Sequence, residues 1–178
     1  MDFLDKKQLK KILNFEKVQK DDVFYIPSGR VHALGPGILL AEIQQTSDTT
    51  YRIYDWDRMD DQGHPRELHT ELALDAIDFS QPESSRTNYR QVLNKATNLV
   101  RSASFTTNML SFDQDLSRNY EEIDSFVILL CVAGSALVDD GYTREMLSTG
   151  EAMLIPAVLK NLVMKPEKEC KLLEVSIG

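Results

Sequence analysis

Two stretches decide how this chain is read: "DVFYIPSGRVH", Asp22 to His32, and "EAMLIPAVLKN", Glu151 to Asn161. Each opens on an acidic residue and runs through four apolar or aromatic residues to a proline, Pro27 or Pro156. Five positions later each reaches a polar side chain, His32 or Asn161. Such a run closed by proline reads as a strand entering a turn, because proline cannot donate to a sheet ladder. The recurrence is an internal repeat. The copies part at their last residue: imidazole can ligate a metal or bond a buried carbonyl, whereas an amide is a poor ligand.

Around the second copy, "LVRSASFTTNMLSF", "SFVILLCVAGSALV", "REMLSTG" and "CKLLEVSI" read as short strands separated by turns, which predicts a sandwich or barrel. Around the first copy, "DDVFYIP", "ILLAEIQQ" and "TTYRIYDW" read as strands, and "DDQGHP" as a turn. Two helices are expected. One covers Leu4 to Leu13; the other covers Arg66 to Ile77, with Leu68, Leu72, Leu74 and Ala76 on its apolar face. The polar stretch from Asp78 to Gln91 reads as a linker. The expected division is residues 1–93 and 94–178.

The chain of 178 residues is 42% hydrophobic and 27% charged, with a net charge of −8, the composition of a globular domain. An acidic chain without a basic block is a poor nucleic-acid binder, since phosphate contacts need clustered Lys and Arg. No apolar run approaches the roughly 20 residues of a membrane helix, so no membrane partner is expected. The start "MDFLDKKQLKKIL" is polar and is not a secretory leader. Cys131 and Cys170 sit in strand-like segments and read as small buried hydrophobes. These features together predict a cytoplasmic protein.

The acidic–four apolar–Pro–x4–His frame resembles the second half of a cupin jelly roll. The residues from Leu99 to Ile177 resemble a complete cupin that lacks metal ligands. "IPSGRVHALGPGILLAEIQQTSDTTYRIYDWDR" followed by "RELH" resembles type I mannose-6-phosphate isomerases, particularly the short bacterial form. The resemblance implies an all-β chain: an incomplete catalytic cupin, a complete metal-free C-terminal cupin, and short helices. It also implies zinc-assisted interconversion of mannose 6-phosphate and fructose 6-phosphate. In that family zinc is held by a Gln-x-His pair, a glutamate and a later histidine. His32 matches the last of these; no Gln-x-His or Lys-Thr-Glu stands N-terminal to it, and Gln62-Gly63-His64 lies in the later "DDQGHP" turn. The expected chain is therefore a C-terminal portion with one zinc-ligand position, the other ligands lying in an N-terminal half.

By the same resemblance Arg52 lines the active site. A planar cation suits an enediolate oxygen or a phosphate, and the competing role is a structural ion pair with Asp48 or Asp55. Glu42, in an apolar strand, is an acid–base or ligand-orienting group, or a carboxylate reaching the surface. His64 reads as a surface residue. His69 belongs to the family pattern, with packing or capping as its other reading. Two further classes stand beside the isomerase: a non-catalytic sugar-binding or regulatory cupin, and an inert structural fragment. The expected partners are a phosphorylated hexose and, for the unpaired strands, a second copy or the N-terminal half.

Overall fold

Within the second copy of the repeat, Ala152–Ile155 and Asn161–Pro166 are strands, and the Leu159 N–H closes the intervening turn onto the Pro156 carbonyl at 2.9 Å. The chain is described by a computed structural model over residues 9, 11–47, 49–80 and 84–177. Its strands are β1 (Lys95–Arg101), β2 (Thr106–Phe112), β3 (Leu116–Asn119), β4 (Val127–Ala133), β5 (Ser135–Asp139), β6 (Arg144–Ser148), β7 (Ala152–Ile155), β8 (Asn161–Pro166) and β9 (Cys170–Ser176). They form two antiparallel sheets, ordered β1-β2-β9-β4-β7 and β3-β8-β5-β6. This is the double-sheet jelly roll of a cupin-type fold.

Alternation along the strands builds its interior. Leu162 and Met164 of β8, Ala136 and Val138 of β5, and Val127 and Leu129 of β4 are buried, while Asn161 is exposed. They meet Leu110, Phe112 and Leu172 in one core, as period-two patterning requires. The chain crosses from the first sheet to the second at Gly134, whose φ is +76°. A Cβ there would lie 2.1 Å from the Glu169 carbonyl oxygen, so both the backbone conformation and the close approach demand glycine. Cys131 and Cys170 are buried and free, with sulfurs 3.9 Å apart. Burial, then the neighbouring Cys131, push the Cys170 thiol up to about 12, which makes it a packing group rather than a nucleophile.

One charge sits inside this core. Glu174, on the central strand β9, is 1% exposed. Arg118 of β3, in the opposite sheet, grips it with Nε and Nη2 at 2.8 Å each. Tyr120 Oη donates at 2.8 Å and Asn108 Nδ2 at 2.9 Å. Burial and then the Glu174 charge drive the Tyr120 phenol far above its ordinary range, so it stays protonated and donates. Four donors on two carboxylate oxygens offset the desolvation that an isolated buried charge would suffer.

The chain divides into two units by contact, Met1–Leu39 with Thr46–Ser85, and Leu40–Gln45 with Arg86–Gly178. In the first unit the structure departs from the sequence reading. "DDVFYIP" and "TTYRIYDW" make no named strand, nor does "ILLAEIQQ", which spans both units; an isolated bridge joins Met59 and Pro65, and Phe24 too stands at a bridge position. A strand exists only where a neighbour satisfies its backbone groups. β7 finds β4, and β8 finds β3 and β5; the earlier segments make isolated pairings, such as the Tyr25 N–H on the Ser85 carbonyl at 2.9 Å and the His69 N–H on the Arg52 carbonyl at 2.7 Å, and no named strand. The helix expected over Leu4 to Leu13 lies largely outside the described residues, of which Leu9, Lys11 and Ile12 are helical. The second helix, α1, spans Thr70–Ala76 rather than Arg66 to Ile77 and buries Ala73. Leu72 and Leu74 of the expected apolar face are 54% and 47% exposed. β3 and the start of β1 carry no apolar alternation and were not legible. No helix among the described residues is long and apolar enough to cross a membrane.

Removing one member of the buried pair strands the other, so Arg118→Ala should cost about 3–5 kcal/mol. The double replacement Arg118→Met with Glu174→Leu should cost markedly less. Urea unfolding of the three proteins measures the difference; equal losses would mean that the pair carries no special cost.

Candidate functional site

The first unit holds His32 and Arg52, and local chemistry places each. Residues 27–30 form a turn closed by the Arg30 N–H on the Pro27 carbonyl at 3.3 Å. Gly29 stands at φ +84°, and a Cβ there would lie 2.7 Å from the Ala76 carbonyl oxygen at the end of α1. Its own carbonyl accepts the Asp78 N–H at 2.9 Å. The turn is thereby docked on the helix end, and His32 follows two residues later. His32 is exposed, and its Nδ1 lies 2.9 Å from the Arg30 carbonyl. A carbonyl only accepts, so Nδ1 carries the proton and Nε2 the lone pair.

Arg52 lies at the base of a turned excursion. The Asp60 side chain accepts the Gln62 and His64 N–H groups at 2.8 Å each, and the Asp60 N–H reaches the His64 carbonyl at 2.7 Å. This aspartate-led turn is the one expected from "DDQGHP". It folds "PRELH" back onto "YRIYD". The His69 N–H donates to the Arg52 carbonyl at 2.7 Å, and the Arg52 N–H donates to His69 Nδ1 at 3.1 Å. Arg52 Nη1 donates to the Glu67 carbonyl at 3.1 Å. These bonds explain the late start of α1: Arg66 to His69 are spent on the cross-link rather than on a helical turn.

Asp55 is the charged centre of the excursion. It is 7% exposed. Arg66 takes both its oxygens, Nε to Oδ2 at 2.5 Å and Nη2 to Oδ1 at 2.6 Å. Arg58 stands 3.0 Å and Arg52 4.0 Å away. Trp56 and Asp57 both adopt left-handed backbone, φ +56° and +57°, which turns the chain between Asp55 and Arg58. The Arg66 hydrogen bonds, followed by the charges of Arg58, Arg66 and Arg52, hold the Asp55 carboxyl below its ordinary value against the opposing effect of burial.

Of the site residues expected from sequence, Arg52 is half-buried and firmly held, and its ion-pair partner is Asp55; Asp48 lies outside the described residues. Glu42 is exposed and clusters with the second unit. His64 is a surface residue, 70% exposed. Tyr51 and Trp56 are 42% and 41% exposed, less enclosed than core residues. No group of three or more His, Cys, Asp or Glu able to hold a metal occurs among the described residues. The donor set here therefore does not make a zinc site by itself. The grip of Arg66 on Asp55 and the clasp role of His69 were missed; the spacing of "YDWDR" and "RELH" about an Asp-led turn was the available signal.

The two-sheet fold defines a cupin-type protein. No family model matches the chain. It is 33% identical over 144 residues to a mannose-6-phosphate isomerase of Streptococcus mutans, covering 81% of this chain and 45% of that protein. It is 34% identical over 161 residues to the mannose-6-phosphate isomerase ManA of Bacillus subtilis, covering 89% and 50%. The crystal structure of the mannose 6-phosphate isomerase from Bacillus subtilis superposes with a TM-score of 0.61 at 25% identity, over 74% of this chain and 41% of that one. The chain belongs to the mannose-6-phosphate isomerase family, and it spans about half the length of the curated relatives it matches.

The acid behaviour of Asp55 follows from its depressed pKa. A carboxylate with a lowered folded-state pKa contributes stability that is present above its ordinary value of 3.8 and is lost as pH falls through the depressed value. Asp55→Asn should therefore be less stable than the parent at neutral pH, and the two should converge on acidification below about pH 4. Thermal melts across that range read the convergence; a constant gap would show that the carboxylate charge is irrelevant.

Proposed function

We propose that this chain carries part of the site of an aldose–ketose isomerase acting on mannose 6-phosphate and fructose 6-phosphate. The observation that carries the reading is identity of 33–34% to proteins of that name across 81–89% of the chain. The reaction moves a proton between C1 and C2 through an enediolate. Arg52, its guanidinium set by the Glu67 carbonyl and by Asp55, would stabilise the developing oxyanion or the phosphate. Glu42 would assist proton transfer or orient a ligand. His32 would offer Nε2 as one zinc ligand, completed by residues that the described part of this chain does not assemble. When bound, zinc would polarise the substrate oxygens.

The same reading accounts for the open state of the first unit. Leu34 is 59% exposed, Leu39 100% and Met59 59%, beside strand-like segments with no ladder. Covering one such side chain is worth about 1.5–3 kcal/mol. Residues 21–56 would pair with strands of another polypeptide, a second copy or one carrying the other half of the relatives' length.

Two outcomes are expected. The isolated chain should bind zinc weakly, turn over mannose 6-phosphate slowly, and associate on a sizing column. In an active isomerase containing this segment, Arg52→Ala should lower kcat by roughly a hundredfold with little change in melting temperature. A strictly monomeric chain with one tightly bound zinc and full turnover would contradict the half-site. Unchanged turnover in Arg52→Ala would leave Arg52 a structural residue.

A further inference from the structure

The segment Arg66–His69 bonds to Arg52 and to its surroundings at several points. His69 meets the backbone of Arg52 twice, as donor from its own N–H at 2.7 Å and as acceptor at Nδ1 at 3.1 Å. Glu67 meets the guanidinium through its carbonyl at 3.1 Å. Arg66 occupies both oxygens of Asp55. That leaves the carboxylate to Arg52 as a charge at 4.0 Å rather than as a hydrogen-bonded sink. With Arg66 in place, Asp55 orients Arg52 without consuming its donors.

We propose that Arg66–His69 is the positioning clamp of Arg52, with neutral His69 as its keystone. The proposal rests on the reading of Arg52 as the anion-stabilising group. His69 touches no reacting atom; it acts through Arg52. A backbone N–H is always a donor, so the bond from Arg52 requires an unprotonated Nδ1 and places the ring proton on Nε2. Nε2 faces the Glu67 carboxylate at 3.9 Å, which favours that proton's position. The tilted Tyr51 ring, its centroid 6.3 Å from that of His69, flanks the imidazole. His69 and His32 are thus opposite tautomers, each set by a backbone partner: the one accepts through Nδ1, the other donates through it. An oxyanion-stabilising guanidinium is effective only when held in place before the charge develops. A displacement of about 1 Å can cost a hundredfold in rate.

The test uses the full chain labelled with nitrogen-15. In the unsubstituted protein at pH 8 the His69 ring should show an unprotonated Nδ1 and a protonated Nε2; a protonated Nδ1 overturns the proposal without any variant. His69→Phe should shift the Arg52 amide and broaden or shift its Nε–H signal, assigned by its loss in Arg52→Lys. His69→Asn, whose side-chain oxygen can replace Nδ1 as acceptor, should restore both. Arg52 signals unmoved in His69→Phe, or displaced equally in both variants, overturn the clamp. In an active isomerase containing this segment, His69→Phe should lower kcat roughly tenfold or more with little change in KM, and His69→Asn should recover most of it. Unaffected kcat in His69→Phe where Arg52→Ala is crippled also overturns the clamp. Full turnover in Arg52→Ala refutes the catalytic reading of Arg52 alone, and the resonance signals then decide the clamp.

Discussion

The carboxylate of Glu174 ties the two sheets of the jelly roll to each other. It stands on β9, which has β2 and β4 as neighbours, and it is bound across the interior by Arg118 of the opposite sheet. Apolar side chains drive the two sheets together without regard to direction. A fork of guanidinium bonds on two oxygens tolerates little displacement, so it fixes which strand faces which. Asn108 and Tyr120 complete the carboxylate's set and remove any unpaired buried oxygen.

Asp55 holds a comparable position in the first unit, on a smaller scale. There the surrounding apolar burial is sparse, and polar cross-links carry more of the order. An aspartate-led turn reverses the chain, an Arg–Asp fork closes it, and a histidine pins the backbone of Arg52 from both sides. This gives a locally determined arginine in a part of the chain without named strands.

The two copies of the repeat show what patterning can and cannot do. "EAMLIPAVLKN" becomes strand, turn and strand, with Ile155 opposite Val127 of β4 and Asn161 opposite Asn119 of β3. "DVFYIPSGRVH" has the same frame, yet it keeps the turn without the strands. Nothing within the eleven residues distinguishes these outcomes. Asn161, at the position matching His32, is exposed and accepts a bond from Asn119 Nδ2 at 3.0 Å, so a shared frame does not secure a shared role.

The sequence by itself determined the class of the C-terminal half and the turns at Pro156 and Asp60, and by resemblance it singled out His32 and Arg52 as candidate site residues. The class and the turns follow from local sterics and period-two burial, which act within a few residues. Only tertiary structure decided that "LSRN" is a strand, because β8 pairs with it. Tertiary structure likewise shortened α1, because its first turn is spent on Arg52. It brought Arg118 and Glu174, 56 residues apart, into one ion pair. Backbone pairing and buried charge are properties of two segments at once, and no single stretch of sequence contains both partners.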